Sequence, residues 1–147
     1  MEHPEEQTTE HEATTNTRAS SLRVMVIDDD TLQIDFVSAL LHSMGIFDIL
    51  SAVEGADALE FLDSTEKQPD LLICDLLMPH MDGFEFLAQL SLKKCQIPIV
   101  VMSGQTQAVR NSAKSLAQLK SLNYLGQLEK PISLPALQAL IDQILTN

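Results

Sequence analysis

The sequence predicts an α/β fold: a doubly wound, five-stranded parallel sheet with helices on both faces, in three layers. Five short apolar segments alternate along the chain with five segments whose apolar residues have a helical spacing. The apolar segments are uninterrupted, which is typical of parallel strands covered on both faces. Strict alternation of strand and helix indicates parallel strands joined by right-handed crossovers. At 147 residues the chain has room for one domain of ordinary size.

The elements are predicted in order from runs of apolar residues and from the residues that interrupt them. The strands are expected at residues 22–27, 47–53, 71–75, 97–102 and 124–128. The helices are expected at residues 31–44, 56–64, 84–93, 107–119 and 134–145. In the first helix, one apolar stripe is expected to face the core, at positions 32, 36, 37, 40, 41 and 44. Gly45 is expected to end that helix.

Composition separates the first 21 residues from the rest of the chain. Residues 1–21 carry five Glu against Arg18 and almost no large apolar side chains, so we expect a disordered acidic leader and a folded domain over residues 22–147. The net charge of −12 argues against a nucleic-acid partner, which would need a cluster of Lys and Arg. No apolar run approaches the roughly 20 residues of a membrane span, so we expect a cytoplasmic protein without a membrane partner. Cys74 and Cys95 lack the spacing of a zinc site or a disulfide framework.

Acids, a hydroxyl and a cation follow four of the five predicted strands. These residues are Asp28, Asp29, Asp30, Asp75, Ser103 and Lys130. Because the carboxyl ends of parallel strands meet at one edge of the sheet, we expect the six side chains to lie close together. Clustered carboxylates repel one another, and a hard cation such as Mg²⁺ suits their oxygen atoms. A carboxylate held by Mg²⁺ and Lys130 beside a hydroxyl is a site that can accept a phosphoryl group.

Each of these residues taken alone also has a purely structural interpretation. Asp30 can cap a helix, Asp75 can form a turn, and Ser103 can be the polar end of a strand. Lys130 can be a solvated charge. Such roles are the common ones for isolated polar residues, but they explain poorly why four strand ends of five carry reactive or charged groups.

Four motifs together resemble the receiver domain of two-component response regulators, over about residues 22–146. They are Val-Met-Val-Ile-Asp28-Asp29-Asp30, Asp75-Leu-Leu-Met-Pro-His-Met-Asp82-Gly83, Met102-Ser103-Gly104 and Glu129-Lys130-Pro131. The resemblance implies a flavodoxin-like strand order of 2-1-3-4-5. It also implies a cis peptide bond between Lys130 and Pro131, of the kind that proline permits at modest cost.

The resemblance further implies the roles of the acidic residues. Asp75 would be the phosphoacceptor. The Mg²⁺ ligands would be Asp29 directly, Asp28 largely through water, Asp75 and the backbone carbonyl of Leu77. No other cofactor is implied.

Two further positions would bind the phosphoryl group and respond to it. Ser103 and Lys130 would contact the phosphoryl oxygens, and Ser103 and Gln127 occupy the switch positions. Receivers usually carry Tyr or Phe three residues before the lysine, where this chain has Gln127. Tyr124 lies three residues too early to be a simple substitute. We therefore expect a smaller or differently routed conformational change on phosphorylation.

The resemblance implies a signalling function rather than an enzymatic one, apart from self-phosphorylation and self-dephosphorylation of the aspartate. A histidine kinase or a histidine phosphotransfer protein would donate the phosphoryl group to Asp75. A change of surface conformation would then act on a downstream protein target. The expected surface is formed by the fourth helix, fifth strand and fifth helix, with Lys114, Gln118, Lys120 and Gln138. Whether the chain forms a homodimer is left open.

Three alternatives remain at this point. The chain could be a pseudo-receiver that is never phosphorylated and acts as an interaction module, although it lacks none of the acids or the lysine. It could be the amino-terminal receiver of a longer cyclic-di-GMP phosphodiesterase, because Leu-Gly-Gln-Leu-Glu-Lys-Pro131 is similar to receivers fused to such domains. Asp28-Asp29-Asp30 is also similar to the Asp-x-Asp of haloacid-dehalogenase-like phosphatases, whose first Asp is the nucleophile.

Overall fold

The structure is a computed structural model, and it describes residues 18–77, 83–104, 111–112, 114–115, 118 and 121–146. Five strands and four helices have defined bounds within these residues. The strands are β1 Arg23–Ile27, β2 Asp48–Ala52, β3 Leu71–Asp75, β4 Ile99–Ser103 and β5 Tyr124–Glu129. The helices are α1 Thr31–Ser43, α2 Gly55–Ser64, α3 Gly83–Leu92 and α4 Leu134–Leu145.

The five strands form one parallel sheet in the order β2-β1-β3-β4-β5. Both the parallel sheet and the strand order are as predicted. β1 lies between its two neighbours, so that Val24 pairs with Ile49 on one side and with Leu71 on the other. This order places the carboxyl ends of β1, β3 and β4 side by side in the middle of the sheet.

Two apolar cores cover the two faces of the sheet. Alternate residues of the strands point to opposite faces, so Val24 and Val26 join the core beneath α1 and α4, and Met25 and Ile27 join the core beneath α2 and α3. Every residue of β3 and β4 is buried. Burial on both faces explains why these strands are uninterrupted apolar runs.

Capping residues fix both ends of α1. The Asp30 carboxylate accepts a hydrogen bond of 3.0 Å from the Leu32 backbone N–H, which satisfies an orphan donor of the first turn. Gly45 has a positive φ of 84°, and the next residue, Ile46, returns its N–H to the Leu41 carbonyl at 3.0 Å. Gly45 therefore ends α1 as predicted, by the left-handed turn that glycine adopts most readily.

The apolar stripe predicted for α1 was wrong in part. Ile34, Val37 and Leu41 are the buried residues of this helix. Leu32 is 75% exposed and Phe36 44% exposed, although both were assigned to the core. With 100° between successive residues, the set 34, 37 and 41 forms one stripe, and position 32 lies on the opposite side of the helix.

Some predicted boundaries differ from those observed. β4 begins at Ile99, after Pro98, rather than at Ile97. Arg18–Ser20 form a helical turn, and Ala19 is buried in the core although it was assigned to the leader. Residues 1–17 of the predicted leader lie outside the described residues.

The predicted fourth helix lies only partly within the described residues. Its ends, Gln107 and Leu119, fall outside them, while residues 111–112, 114–115 and 118 are helical. Lys114 and Gln118 of the predicted downstream surface are exposed, and Lys120 lies outside the described residues. Among the helices described, none combines the length and the apolar character needed to cross a membrane.

Candidate functional site

The strand ends converge at the carboxyl edge of the sheet, as predicted. Asp28 follows β1, Asp75 ends β3, Ser103 ends β4 and Lys130 follows β5. Asp28 is fully buried, and Asp75 and Ser103 are 5% and 1% exposed. These three are the polar or charged residues that are buried in the described part of the chain. Burial of polar groups at one point of an otherwise apolar interior indicates a site rather than a packing role.

Lys130 joins the two buried carboxylates. Its Nζ donates a hydrogen bond of 3.0 Å to Asp28 Oδ2 and lies 3.2 Å from Asp75 Oδ1. The backbone N–H of Lys130 also donates to the Ser103 carbonyl at 3.0 Å. The lysine is therefore fixed by both its main chain and its side chain against three of the four strand ends.

The three adjacent aspartates have different roles. Asp28 accepts hydrogen bonds from the Asp30 backbone N–H at 2.9 Å and from Lys130, so its carboxylate points into the site. Asp30 is exposed and caps α1, which is the structural role that the sequence also allowed for it. Asp29 is exposed, and one of its carboxylate oxygens lies within 4.8 Å of oxygens from Asp28 and Asp75. The structure thus brings together Asp28, Asp29 and Asp75, with Asp30 outside the group.

A very close backbone contact holds the loop after β3 against α3. The Gly83 N–H donates to the Leu76 carbonyl at 2.9 Å. A Cβ atom at position 83 would lie 2.6 Å from the Leu76 Cα and 2.8 Å from the Asp75 carbonyl oxygen. Only glycine fits without a shift of the backbone that carries Asp75. From sequence, Gly83 was only the last residue of a motif, directly before the helix predicted at residues 84–93, and this positioning role was missed. Residues 78–82 of the loop lie outside the described residues.

The cluster of charges shifts the pKa values of its members. Burial, and then the charge of Asp28, raise the pKa of Asp75 to about 6, although Lys130 and the Leu77 backbone N–H act in the opposite direction. Burial likewise raises the pKa of Asp28, against its hydrogen bonds from Asp30 and Lys130. Burial alone would lower the pKa of Lys130, but the hydrogen bond to Asp28 and the charge of Asp75 outweigh it and raise that pKa. The ammonium group is therefore fully charged at neutral pH, and Asp75 is mostly ionised.

The donor atoms at this edge fit a hard divalent cation. Asp28, Asp29 and Asp75 each offer a carboxylate oxygen, and the three oxygens lie within 4.8 Å of one another. Mg²⁺ prefers oxygen ligands and is usually held by one or two carboxylates together with water. Lys130 neutralises one of the three negative charges, which leaves an excess that a cation would offset.

A sequence model of the response regulator receiver domain matches residues 24–142 of the chain. The chain belongs to this family. The assignment accounts for the strand order, for the cluster of aspartates and lysine, and for the cis peptide bond predicted between Lys130 and Pro131, which is present. It also decides against the haloacid-dehalogenase-like alternative, because the family model that matches residues 24–142 is that of the receiver domain.

Curated relatives of this receiver include two multidomain enzymes. It is 33% identical to the cyclic di-GMP phosphodiesterase RocR of Pseudomonas aeruginosa over 84% of this chain and 31% of that protein. It is 32% identical to protein-glutamate methylesterase/protein-glutamine glutaminase 2 of Koribacter versatilis over 88% of this chain and 35% of that protein. The receiver spans about a third of the length of these relatives.

Solved receiver structures have the same fold. A response regulator from Colwellia psychrerythraea is 27% identical, with a TM-score of 0.71 over 85% of this chain and 97% of that one. The receiver domain of the Francisella response regulator 1452 superposes with a TM-score of 0.72, at 22% identity, over 86% of this chain and 98% of that one. At 22% identity, the similarity to the Francisella receiver shows a shared fold.

Two residues predicted for the receiver site lie at its margin. Leu77 is exposed, and its backbone N–H bonds the Asp75 carboxylate; its predicted role as a carbonyl ligand stays a prediction. Gln127 is half-buried on β5, three residues before Lys130, and accepts a hydrogen bond from the Tyr124 hydroxyl at 3.4 Å. The sequence contains both residues of this pair but gave no sign that they are in contact.

Proposed function

We propose that this receiver takes a phosphoryl group onto Asp75 from a histidine kinase or a histidine phosphotransfer protein. The observation that carries the proposal is the position of Lys130, which lies 3.0 Å from Asp28 and 3.2 Å from Asp75 beside the buried Ser103. An interaction module without phosphorylation would have no need for a buried, mutually repelling pair of carboxylates.

The transfer moves one phosphoryl group between two nucleophiles. A carboxylate oxygen of Asp75 attacks the phosphorus as the bond to the donor's imidazole nitrogen breaks. The imidazole nitrogen retains the electron pair of the broken bond, and the product on Asp75 is an acyl phosphate. Because the pKa of Asp75 is about 6, its carboxylate is available as a nucleophile at neutral pH.

Mg²⁺ is the cofactor that fits this reaction. Asp28, Asp29 and Asp75 would hold it, together with the carbonyl of Leu77. When bound, the ion shields the negative charge of the phosphoryl oxygens from that of the aspartates. Lys130 would also offset the negative charge of the phosphoryl oxygens, since its ammonium group already lies against Asp75 and can pair with an added phosphoryl group. The Ser103 hydroxyl would donate to a phosphoryl oxygen.

Exposed apolar side chains beside the site favour a protein as the donor. Leu32, in the first turn of α1, is 75% exposed, and Phe36, one turn further along, is 44% exposed. Leu77, two residues after Asp75, is 52% exposed. Apolar residues around a charged centre suit a partner that brings its own apolar surface, and we propose that the donor docks there.

A second candidate concerns the protein in which the receiver acts. The RocR and methylesterase relatives are enzymes, and the receiver spans about a third of each. The phosphoryl signal would then control an attached catalytic domain. The similarity of residues 125–131 to receivers of cyclic-di-GMP phosphodiesterases favours that class of enzyme.

The proposed function is tested by intact mass spectrometry after incubation with acetyl phosphate and Mg²⁺. The wild type should gain one phosphoryl group, about 80 Da, and lose it on standing. Asp75→Asn should gain nothing, whereas Asp35→Asn, which changes an exposed aspartate of α1, should behave as the wild type. No gain in the wild type, or an equal gain in Asp75→Asn, would contradict the proposal.

A further inference from the structure

β5 carries a bulge at its start. Ile99 of β4 pairs with Tyr124 of β5, and two residues later Val101 pairs with Gln127. Two steps along β4 therefore match three steps along β5, which is the signature of one extra residue. Because Ile99 and Val101 point to the same face, their partners Tyr124 and Gln127 also share a face. In a regular strand, residues three apart would point to opposite faces.

The bulge allows these two side chains to bond. The Tyr124 hydroxyl donates a hydrogen bond to Gln127 Oε1 at 3.4 Å. Hydroxyl donors usually lie about 2.5–3.0 Å from their acceptors, so this bond is long and weak. Tyr124 is half-buried against the core beneath α2 and α3, and burial raises its pKa to about 12. Its hydroxyl therefore remains a donor at neutral pH.

The pair is linked to the site through the β4–β5 ladder. Gln127 lies three residues before Lys130, and its partner Val101 lies two residues before Ser103. The two strand ends are tied together by the hydrogen bond from the Lys130 N–H to the Ser103 carbonyl. A short, paired segment of backbone therefore connects Lys130 and Ser103 to Gln127.

We propose that the Tyr124–Gln127 hydrogen bond is a switch that is closed in the unphosphorylated receiver and opens when Asp75 is phosphorylated. This inference rests on the proposed function, because the phosphoryl group is its input. The group adds a charge of about −1.5 to −2 beside Lys130, which lies 3.2 Å from Asp75. Lys130 and Ser103 move toward the new oxygens, the end of β5 follows, and the weak bond between the two side chains breaks. The released Tyr124 hydroxyl and Gln127 amide then become available to a partner.

The composition of the chain makes this switch directly observable. Tyr124 is the only tyrosine, and there is no tryptophan. Tyrosine emission of the whole protein therefore reports on this one hydroxyl. The experiment measures emission and intact mass on the same sample, before and after incubation with acetyl phosphate and Mg²⁺. We expect the wild type to gain a phosphoryl group and to change its emission in parallel.

Two variants separate the hydrogen bond from other effects on the fluorophore. Gln127→Met keeps the length of the side chain without its acceptor, and it should gain the phosphoryl group without the emission change. Gln143→Leu, on the exposed side of α4, should gain the phosphoryl group and keep the emission change. Asp75→Asn should show neither.

The outcomes distinguish the switch from the function beneath it. A wild type that gains mass with unchanged emission overturns the switch and leaves Asp75 as phosphoacceptor. An emission change that survives in Gln127→Met overturns it too. If Gln127→Met fails to fold, unchanged emission in the phosphorylated wild type still overturns the switch. A wild type that gains no mass overturns the proposed function and the switch with it.

Discussion

At the scale of single residues, Lys130 is the group on which the site depends. It compensates two carboxylates, Asp28 and Asp75, that are both almost completely buried. A buried ion pair adds little net stability, but removal of one partner leaves uncompensated charge in the interior. The lysine therefore stabilises the folded protein at neutral pH, in addition to its proposed role in phosphoryl transfer.

Replacement of Lys130 should therefore destabilise the unphosphorylated protein. We expect Lys130→Met to lower the free energy of unfolding by about 3 kcal/mol at pH 7, since both carboxylates lose their partner. Lys93→Met provides a matched control, because Lys93 pairs with Asp63 at the surface, and such pairs contribute less than about 1 kcal/mol. Urea unfolding of both variants in EDTA measures the difference. Equal losses in the two variants would contradict this account of the site.

Tyr124 should show the pH dependence of a buried phenol. Its pKa is raised from 10.0 to about 12 by burial, so the folded state holds the phenolic proton more tightly than the unfolded chain. The resulting stabilisation is complete below pH 10 and is lost as the pH rises through 12. Absorbance at alkaline pH follows this one tyrosine, with circular dichroism to verify that the chain is folded. We expect a native midpoint well above that of the chain in urea; identical midpoints would show that Tyr124 is solvated.

At the scale of elements, sequence patterns correctly predicted that each described strand and helix is present. They were less successful in predicting which residues of an element face the core. Apolar runs alternate along the chain with segments of helical spacing, and only short connections separate them, so the order of strands and helices can be read from the sequence. The orientation of α1 was partly missed, since Leu32 and Phe36 are apolar yet exposed. An apolar residue on the surface and an apolar residue in the core are of the same types, so helical periodicity alone cannot tell which of them is buried.

The bulge in β5 illustrates a second limit of the sequence. From sequence, Tyr124 lies three residues too early to substitute for the usual aromatic residue, and a regular period of two would place Tyr124 and Gln127 on opposite faces of the sheet. One additional residue against β4 reverses that relation. Register depends on pairing with another strand, and it is decided by contacts that are remote in sequence.

The contact between α3 and the β3 loop makes a sharp prediction for glycine. Gly83→Ala places a methyl group 2.6 Å from the Leu76 Cα, so the backbone beside Asp75 must move. We expect a loss of about 1–3 kcal/mol in the free energy of unfolding and slower phosphorylation by acetyl phosphate.

Gly104→Ala is the control for this substitution. Position 104 lies on the same edge of the sheet, one residue after Ser103, and a Cβ there would meet nothing within 4 Å. This variant should be as stable as the wild type or slightly more so. The same loss of stability in both variants would show that the tight contact at Gly83 is unimportant.

At the scale of the whole molecule, the site follows from topology. Parallel strands bring residues that are remote in sequence, such as Asp28 and Lys130, to one edge, which is why strand ends alone predicted the cluster. The positions of the strand ends could not predict which of the adjacent residues Asp28, Asp29 and Asp30 would point into the site. Asp30 became a helix cap and Asp29 stayed exposed, because the first turn of α1 dictates which carboxylate faces the site.

Divalent cation binding should stabilise the entire fold. A ligand that binds only the native state raises the free energy of unfolding by about 2.7 kcal/mol when present at 100 times its dissociation constant. We expect Mg²⁺ to raise the melting temperature relative to EDTA at matched ionic strength. Asp29→Asn should remove most of this increase, and Asp35→Asn should keep it. A wild type whose melting temperature is the same in Mg²⁺ and EDTA would mean that the carboxylate cluster holds no cation.

The most direct test of the central claim identifies the phosphorylated residue itself. Borohydride reduces an aspartyl phosphate to homoserine, so peptide mass spectrometry after treatment with acetyl phosphate, Mg²⁺ and borohydride reads out the position of the acyl phosphate. We expect homoserine at position 75 and at no other aspartate. Homoserine at Asp28 would instead indicate a nucleophile after β1, and its absence from every position would contradict phosphoryl acceptance by this receiver.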